Sequence, residues 1–153
     1  MDMENIDPAM AQRVWQRVRG EAPPPCSGTA LQTLMEEAWE DAHQYRYLSR
    51  RHRGKRSALY AQMYRQTMEH IRLLKGICAL CDQCKPVLTP VQPRKEPESI
   101  LLRRSYGRAL QRLNWYTSNE SDPRYGHLLP PIIRQTRQHT QQLLQLLSHP
   151  GVK

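Results

Sequence analysis

The chain has 153 residues, of which 39% are hydrophobic and 24% charged, with a formal net charge of +9. That length suffices for one domain with a core, and no stretch approaches the roughly 20 apolar residues a membrane-spanning helix requires. The positive balance favours anionic partners in general, such as nucleic acid, acidic proteins or phosphates, without selecting one.

The opening residues MDMENIDPAM carry no apolar leader, which sets the expectation of a cytoplasmic protein. Residues 7–19 (DPAMAQRVWQRVR) read as a short helix, with Asp7 as its cap, Pro8 in its first turn and Met10, Val14 and Val18 on one side. The prolines of EAPPPCSG (21–28) end it and make a linker. Residues 1–28 therefore form a segment of their own ahead of the main domain, 29–148.

Residues 29–51 form a first long helix, with Leu31, Leu34, Met35, Ala38, Ala42 and Tyr45 on one stripe at spacings of three and four. The densest basic run follows (Arg50, Arg51, Arg53, Lys55, Arg56) and reads as a solvated interhelical loop. A second helix over 57–80 carries Tyr60, Met63, Tyr64, Thr67, His70, Ile71 and Leu74 inward. The four prolines of KPVLTPVQPRKEP (85–97) mark a crossover. A third helix over 98–118 faces inward with Leu102, Tyr106, Ala109, Leu113 and Tyr116. After the turn SNESDPRYG, a last helix over 129–148 presents Ile132, Ile133, Thr136, His139, Thr140, Leu143 and Leu147. Phenylalanine is absent, so Leu, Tyr, Trp and Met must fill the interior. The expected fold is all-α: an antiparallel four-helix bundle of two helical hairpins (29–80 and 98–148) joined by a crossover at 81–97, with a short extra N-terminal helix.

The two hairpins echo one another. Residues 65–70 read RQTMEH and residues 134–139 read RQTRQH, each in the second helix of its pair. The first helices match as well: Leu31 with Leu102, Met35 with Tyr106, Ala38 with Ala109, Ala42 with Leu113 and Tyr45 with Tyr116. The chain reads as a duplicated hairpin with pseudo-twofold symmetry.

On these residues the chain resembles the ferritin-like superfamily, and within it the rubrerythrin-type diiron bundles. The segment WEDAHQYRYLSRR (39–51) is similar to that group's first-helix segment, and RQTMEHIRLLKGI (65–77) to its second. In the family the first helix of each hairpin supplies one Glu and the second a Glu-x-x-His, with an inward Tyr two turns after the first-helix Glu. The resemblance sets Tyr45 and Tyr116 as the tyrosines, and His70 and His139 as the histidines. The four glutamate positions fall on Ala38, Thr67, Ala109 and Thr136. All four carboxylates are replaced, alike in each half.

That replacement bears directly on the chemistry. A diiron pair carries at least four positive charges, and carboxylates both neutralise them and supply hard oxygen ligands. Alanine offers no ligand and threonine only a neutral hydroxyl. The resemblance therefore implies a bundle that has lost its diiron centre, with no cofactor expected. At about 100° per residue, Glu40 points about 200° from Ala38 and Glu36 about 160° away, so the local Glu40 and His43 spacing is a surface pair on the wrong face. Asp41 lies only about 60° from Ala38, and its equivalent in the other half is Arg112. We expect these two to help replace the lost metal charge with an ion pair. His70 and His139 are expected as neutral core histidines bonded to Thr, Tyr or each other, and both tyrosines as core fillers whose hydroxyls need partners.

Cys78, Cys81 and Cys84 form CxxCxxC at the end of the second helix. Three readings stay open: structural or free thiols, a zinc or iron–sulfur site with Cys26 as fourth ligand, or a redox disulfide. Three functions follow. The first is a non-catalytic ferritin-like scaffold or binding protein, acting as a homo-oligomer or with a protein partner. The second is an iron-binding diiron peroxidase or ferroxidase with a rearranged site. The third is a basic anion or nucleic-acid binder, for which no recognisable nucleic-acid motif is present.

Overall fold

A computed structural model describes residues 28–81, 88–92 and 94–149. The expected helix over 7–19, Cys26 and Cys84 lie outside the described residues. The described fold is all-α: α1 (Gly28–Arg51), α2 (Gly54–Cys81), α3 (Glu98–Ser118) and α4 (Pro130–Ser148), with a short 3-10 turn at Gly126–Leu128 before the last helix. None of these helices is long and apolar enough to cross a membrane.

The break between α1 and α2 is shorter than the basic run suggested. Arg50 and Arg51 close α1, while Lys55 and Arg56 open α2. Charged residues do not break a helix; the reversal is made at Gly54, whose φ of +68° is open only to a residue without a Cβ penalty. Ser49 and Ser57 then pin the turn, each hydroxyl donating to the other's carbonyl at 2.9 and 2.7 Å. At the far end Cys78 packs on Met35, so the two helices run antiparallel along their length.

The second pair follows the same logic. Pro130 and Pro131 suit the first turn of α4, where no backbone N–H is required. Tyr116 packs with Leu129, Ile132 and Ile133 near the turn. Leu101 and Leu102 pack with Leu143 and Leu146 at the other end. Within the turn Tyr125 is fully buried, stacked on Trp115 at 6.1 Å and donating to Asn119 at 3.1 Å.

Glu98, the first residue of α3, binds His52, Arg56 and Tyr60 at the beginning of α2. The chain leaves α2 at its other end, about 42 Å away for a helix of that length. Of the chain between these ends, residues 88–92 and 94–97 are described, and they form a strap packed against α1. There Trp39 donates to the Thr89 carbonyl at 2.7 Å, and Arg94 binds Glu40 at 3.1 Å.

Most of the expected inward stripe is buried, including Leu31, Met35, Ala38, Ala42, Tyr45, Tyr60, Met63 and Leu74. Each large apolar side chain removed from water contributes on the order of 1.5–3 kcal/mol. The stripe departs from expectation on α3 and α4. Tyr106, Leu113 and Leu147 are only partly buried, while Ser105, Arg112 and Leu146 are buried. The register of α3 is set by a charged residue rather than by its most apolar face.

Gly126 sits where a Cβ would collide with the Glu120 carbonyl, whereas Gly107, inside α3, has open space around it. Gly126→Ala is expected to lower unfolding free energy by about 1–3 kcal/mol. Gly107→Ala is expected to raise it by about 0.5–1 kcal/mol through helix propensity. Urea denaturation of the two variants beside the parent measures both.

Candidate functional site in the bundle interior

Each helix contributes to one polar cluster in an otherwise apolar core. Ala38, Thr67, Ala109 and Thr136 are all buried, as are His70, His139, Tyr45 and Tyr116. Asp41 on α1 and Arg112 on α3 meet at 2.7 Å, 1% and 3% exposed. The contact expected from their equivalent places in the two hairpins is thus present, inside the bundle and away from water.

Both Asp41 oxygens are committed. Oδ2 accepts from Arg112, while Oδ1 accepts from Ser105 at 3.0 Å and Arg108 at 3.4 Å. Arg108 also binds Glu40 at 3.3 Å, and Glu40 binds Arg94. Charges of alternating sign therefore run from the surface strap to the core. Glu40 spends its carboxylate on Arg94 and Arg108, so the expected surface pair of Glu40 with His43 is not formed; His43 instead packs edge-on against Trp39 at 4.4 Å.

Burial raises the proton affinity of the Asp41 carboxyl, and the Arg112 guanidinium pulls the other way. Burial likewise works against the charge on Arg112, but Asp41, with the Tyr116 and Tyr45 oxygens, outweighs it and raises Arg112 further. An arginine keeps its proton in any protein setting, so the fixed charge here belongs to Arg112 and Asp41 is its counterion.

The two histidines sit face to face, ring centroids 5.7 Å apart. Their partners are not Thr, Tyr or each other, as the sequence suggested. His70 Nε2 donates to Gln135 Oε1 at 2.7 Å, and His139 Nε2 donates to Gln66 Oε1 at 2.7 Å. Each glutamine is the Q of one RQT repeat, and it serves the histidine of the other repeat. The Gln shared by the two RQT copies is the sequence signal for this exchange.

Burial pushes His70 down to about 4, with a bond to Gln135 opposing and the Arg112 charge assisting. Burial, the neighbouring His70 and Arg112 push His139 down to about 3. Both imidazoles are neutral at physiological pH. Burial holds the Tyr45 phenol above its ordinary range and pushes Tyr116 up to about 12, so both keep their protons. The Tyr116 and Thr67 hydroxyls have no hydrogen-bond partner among the described residues; Tyr45 O–H lies beside Ser105 and Arg112 without the alignment of a full bond.

Among the described residues no group of three or more His, Cys, Asp or Glu converges on one point, and the Asp41 carboxylate is bound by three donors. Cys78, buried with its sulfur 3.6 Å from Met35 Sδ, is in a disulfide. That removes it from the free-thiol and metal-thiolate readings. Cys81 is the last residue of α2. No family model, curated protein or solved structure matches the chain.

Two outcomes follow from this geometry. Depressed histidine pKa values mean that the unfolded chain binds more protons than the folded one below the ordinary value of 6.5. The stability due to neutral burial is therefore complete above pH 6.5 and is lost as pH falls towards 4 and then 3. Urea titrations are expected to show a decline on the order of a few kcal/mol between pH 6.5 and 4. A His70→Gln/His139→Gln variant should flatten that decline, and an unchanged slope would assign it to other groups. For the ion pair, Asp41→Leu alone is expected to cost about 3–5 kcal/mol, because it strands a buried cation. The double variant Asp41→Leu/Arg112→Leu should cost less than the two single changes together, as read by a double-mutant cycle.

Proposed function

We propose that this chain is a ferritin-like bundle of the rubrerythrin type in which an internal ion pair stands in place of a diiron centre, and that it acts as a non-catalytic scaffold or binding protein. The observation that carries the reading is the Asp41–Arg112 pair at 2.7 Å, wholly buried and one helical turn from Ala38 and Ala109. Those alanines occupy positions where the resemblance expects glutamates. Further support comes from the strap, whose described residues 88–92 and 94–97 fall between the two helix pairs in the chain, where bundles of this type carry one long crossover. The reciprocal Gln–His bonds add the pseudo-twofold relation of a duplicated hairpin.

The pair also opposes metal actively. A divalent ion about 6 Å from the Arg112 guanidinium would be repelled by about 5 kcal/mol at an effective dielectric of about 20. A rearranged diiron site would have to displace Ser105, Arg108 and Arg112 from Asp41 before gaining its first carboxylate. As a scaffold the protein would work through its surface, with a second copy or a protein partner.

Anaerobic loading with ferrous iron followed by metal analysis tests the proposal. The expected result is iron far below one ion per chain and no near-ultraviolet band of an oxo-bridged pair after exposure to air. Two ions per chain with that band would sink it. Restoring the carboxylates offers a second readout. The variant Ala38→Glu/Thr67→Glu/Ala109→Glu/Thr136→Glu is expected to bind iron at least ten times more tightly when Arg112→Gln is added than when Arg112 is kept.

A further inference from the structure

At the end of the bundle where α1 turns into α2, the chain forms a cleft of about 1360 Å³ between residues 47–56 and the last residues of the strap. Its cationic side chains, Arg51, Arg53, Arg56 and Lys95, outnumber its carboxylates, Glu96 and Glu98. The two carboxylates do not neutralise it. Glu98 is bound by Arg56 at 3.0 Å, by His52 and by the Tyr60 hydroxyl. Glu96 is bound by Arg104 at 2.9 Å and Arg94 at 3.8 Å, both from outside the cleft. Arg51, Arg53 and Lys95 are exposed and have no carboxylate partner among the described residues.

Two of the arginines in its wall are held by contacts of their own. Arg56 spans from Glu98 to the His149 carbonyl, at 2.9 Å, tying the start of α2 to the end of α4. Arg51 lies over the Tyr47 ring at 5.5 Å, which sets its guanidinium along one side of the cleft. Lys55 and Arg56 also occupy the first turn of α2, where the helix's own partial positive charge disfavours cations. A folded chain left to itself gains nothing from this concentration of like charge. Concave walls of low dielectric focus the resulting field on an anion.

From this arrangement we propose that the cleft is a binding site for a small polyphosphate anion, a molecule carrying two or more linked phosphate groups. Three uncompensated cations around one hollow match a multiply charged ligand better than a single phosphate. Guanidinium groups bind phosphate oxygens through paired N–H donors. The volume exceeds the roughly 300–1,000 Å³ of ordinary small-ligand pockets, leaving room for an organic group attached to the phosphates. A cleft confined to one end of the bundle suits a compact ligand, whereas a nucleic-acid duplex needs a stripe of cations along a face. This inference does not depend on the diiron reading.

Calorimetric titration of the full chain with inorganic tripolyphosphate at low ionic strength tests it. Saturable binding at one site per chain is expected. The variant Arg51→Gln/Arg53→Gln/Lys95→Gln should weaken that binding at least tenfold. The control Arg72→Gln/Lys75→Gln/Arg134→Gln removes the same charge from exposed positions nearer the opposite end of the bundle and should change it less than threefold. Circular dichroism checks that each variant is folded, and the single change Lys95→Glu provides a milder test in the same direction. Equal weakening by both triple variants would reduce the effect to net charge and overturn the site. So would the absence of saturable tripolyphosphate binding, or binding of duplex DNA alone.

Discussion

A guanidinium that cannot surrender its proton, placed where water does not reach it, has to be answered by an anion at contact distance. Arg112 is in that position, and Asp41 answers it at 2.7 Å. Breaking such a pair is far more costly than never having built it, so the contact constrains everything around it. It fixes the rotation of α3, turning Arg112 inward and leaving Leu113 at the margin. It draws Ser105 and Arg108 to the same carboxylate. Through Arg108, Glu40 and Arg94 it couples the core to the strap that crosses the bundle.

The same charge governs the electrostatics of its neighbours. Two imidazoles stacked at 5.7 Å beside a permanent cation have every reason to remain neutral, and both are pushed far below the ordinary histidine value. Neutral imidazoles still require a partner for each ring N–H, and Gln66 and Gln135 supply it across the bundle. The interior is thus a balanced polar cluster, with one cation, one anion and two neutral rings. Such a cluster specifies how four helices register against one another more narrowly than apolar packing alone.

The exterior follows the opposite rule. In the core every charge has an answer, whereas in the cleft beside Arg51, Arg53 and Lys95 the available carboxylates are already engaged elsewhere. Those three cations, with no carboxylate partner among the described residues, are what the polyphosphate proposal rests on.

Much of the fold was legible in the sequence. Apolar spacings of three and four gave the four long helices, and prolines gave the crossover, because periodicity and backbone restriction are local properties. The hairpin repeat brought Asp41 and Arg112 to equivalent places, so their meeting could be anticipated from numbering and helical angle. Local reasoning failed where partners come from distant segments. The basic run at 50–56 reads as a loop until Gly54 is seen to reverse the chain in two residues, while four of its five cations stay exposed as expected. That each glutamine of the RQT repeats lies opposite the other copy's histidine is visible only across the bundle. Which side chains answer a buried charge, and which charges are left without an answer, depends on distances between helices, and those exist only once the chain has folded.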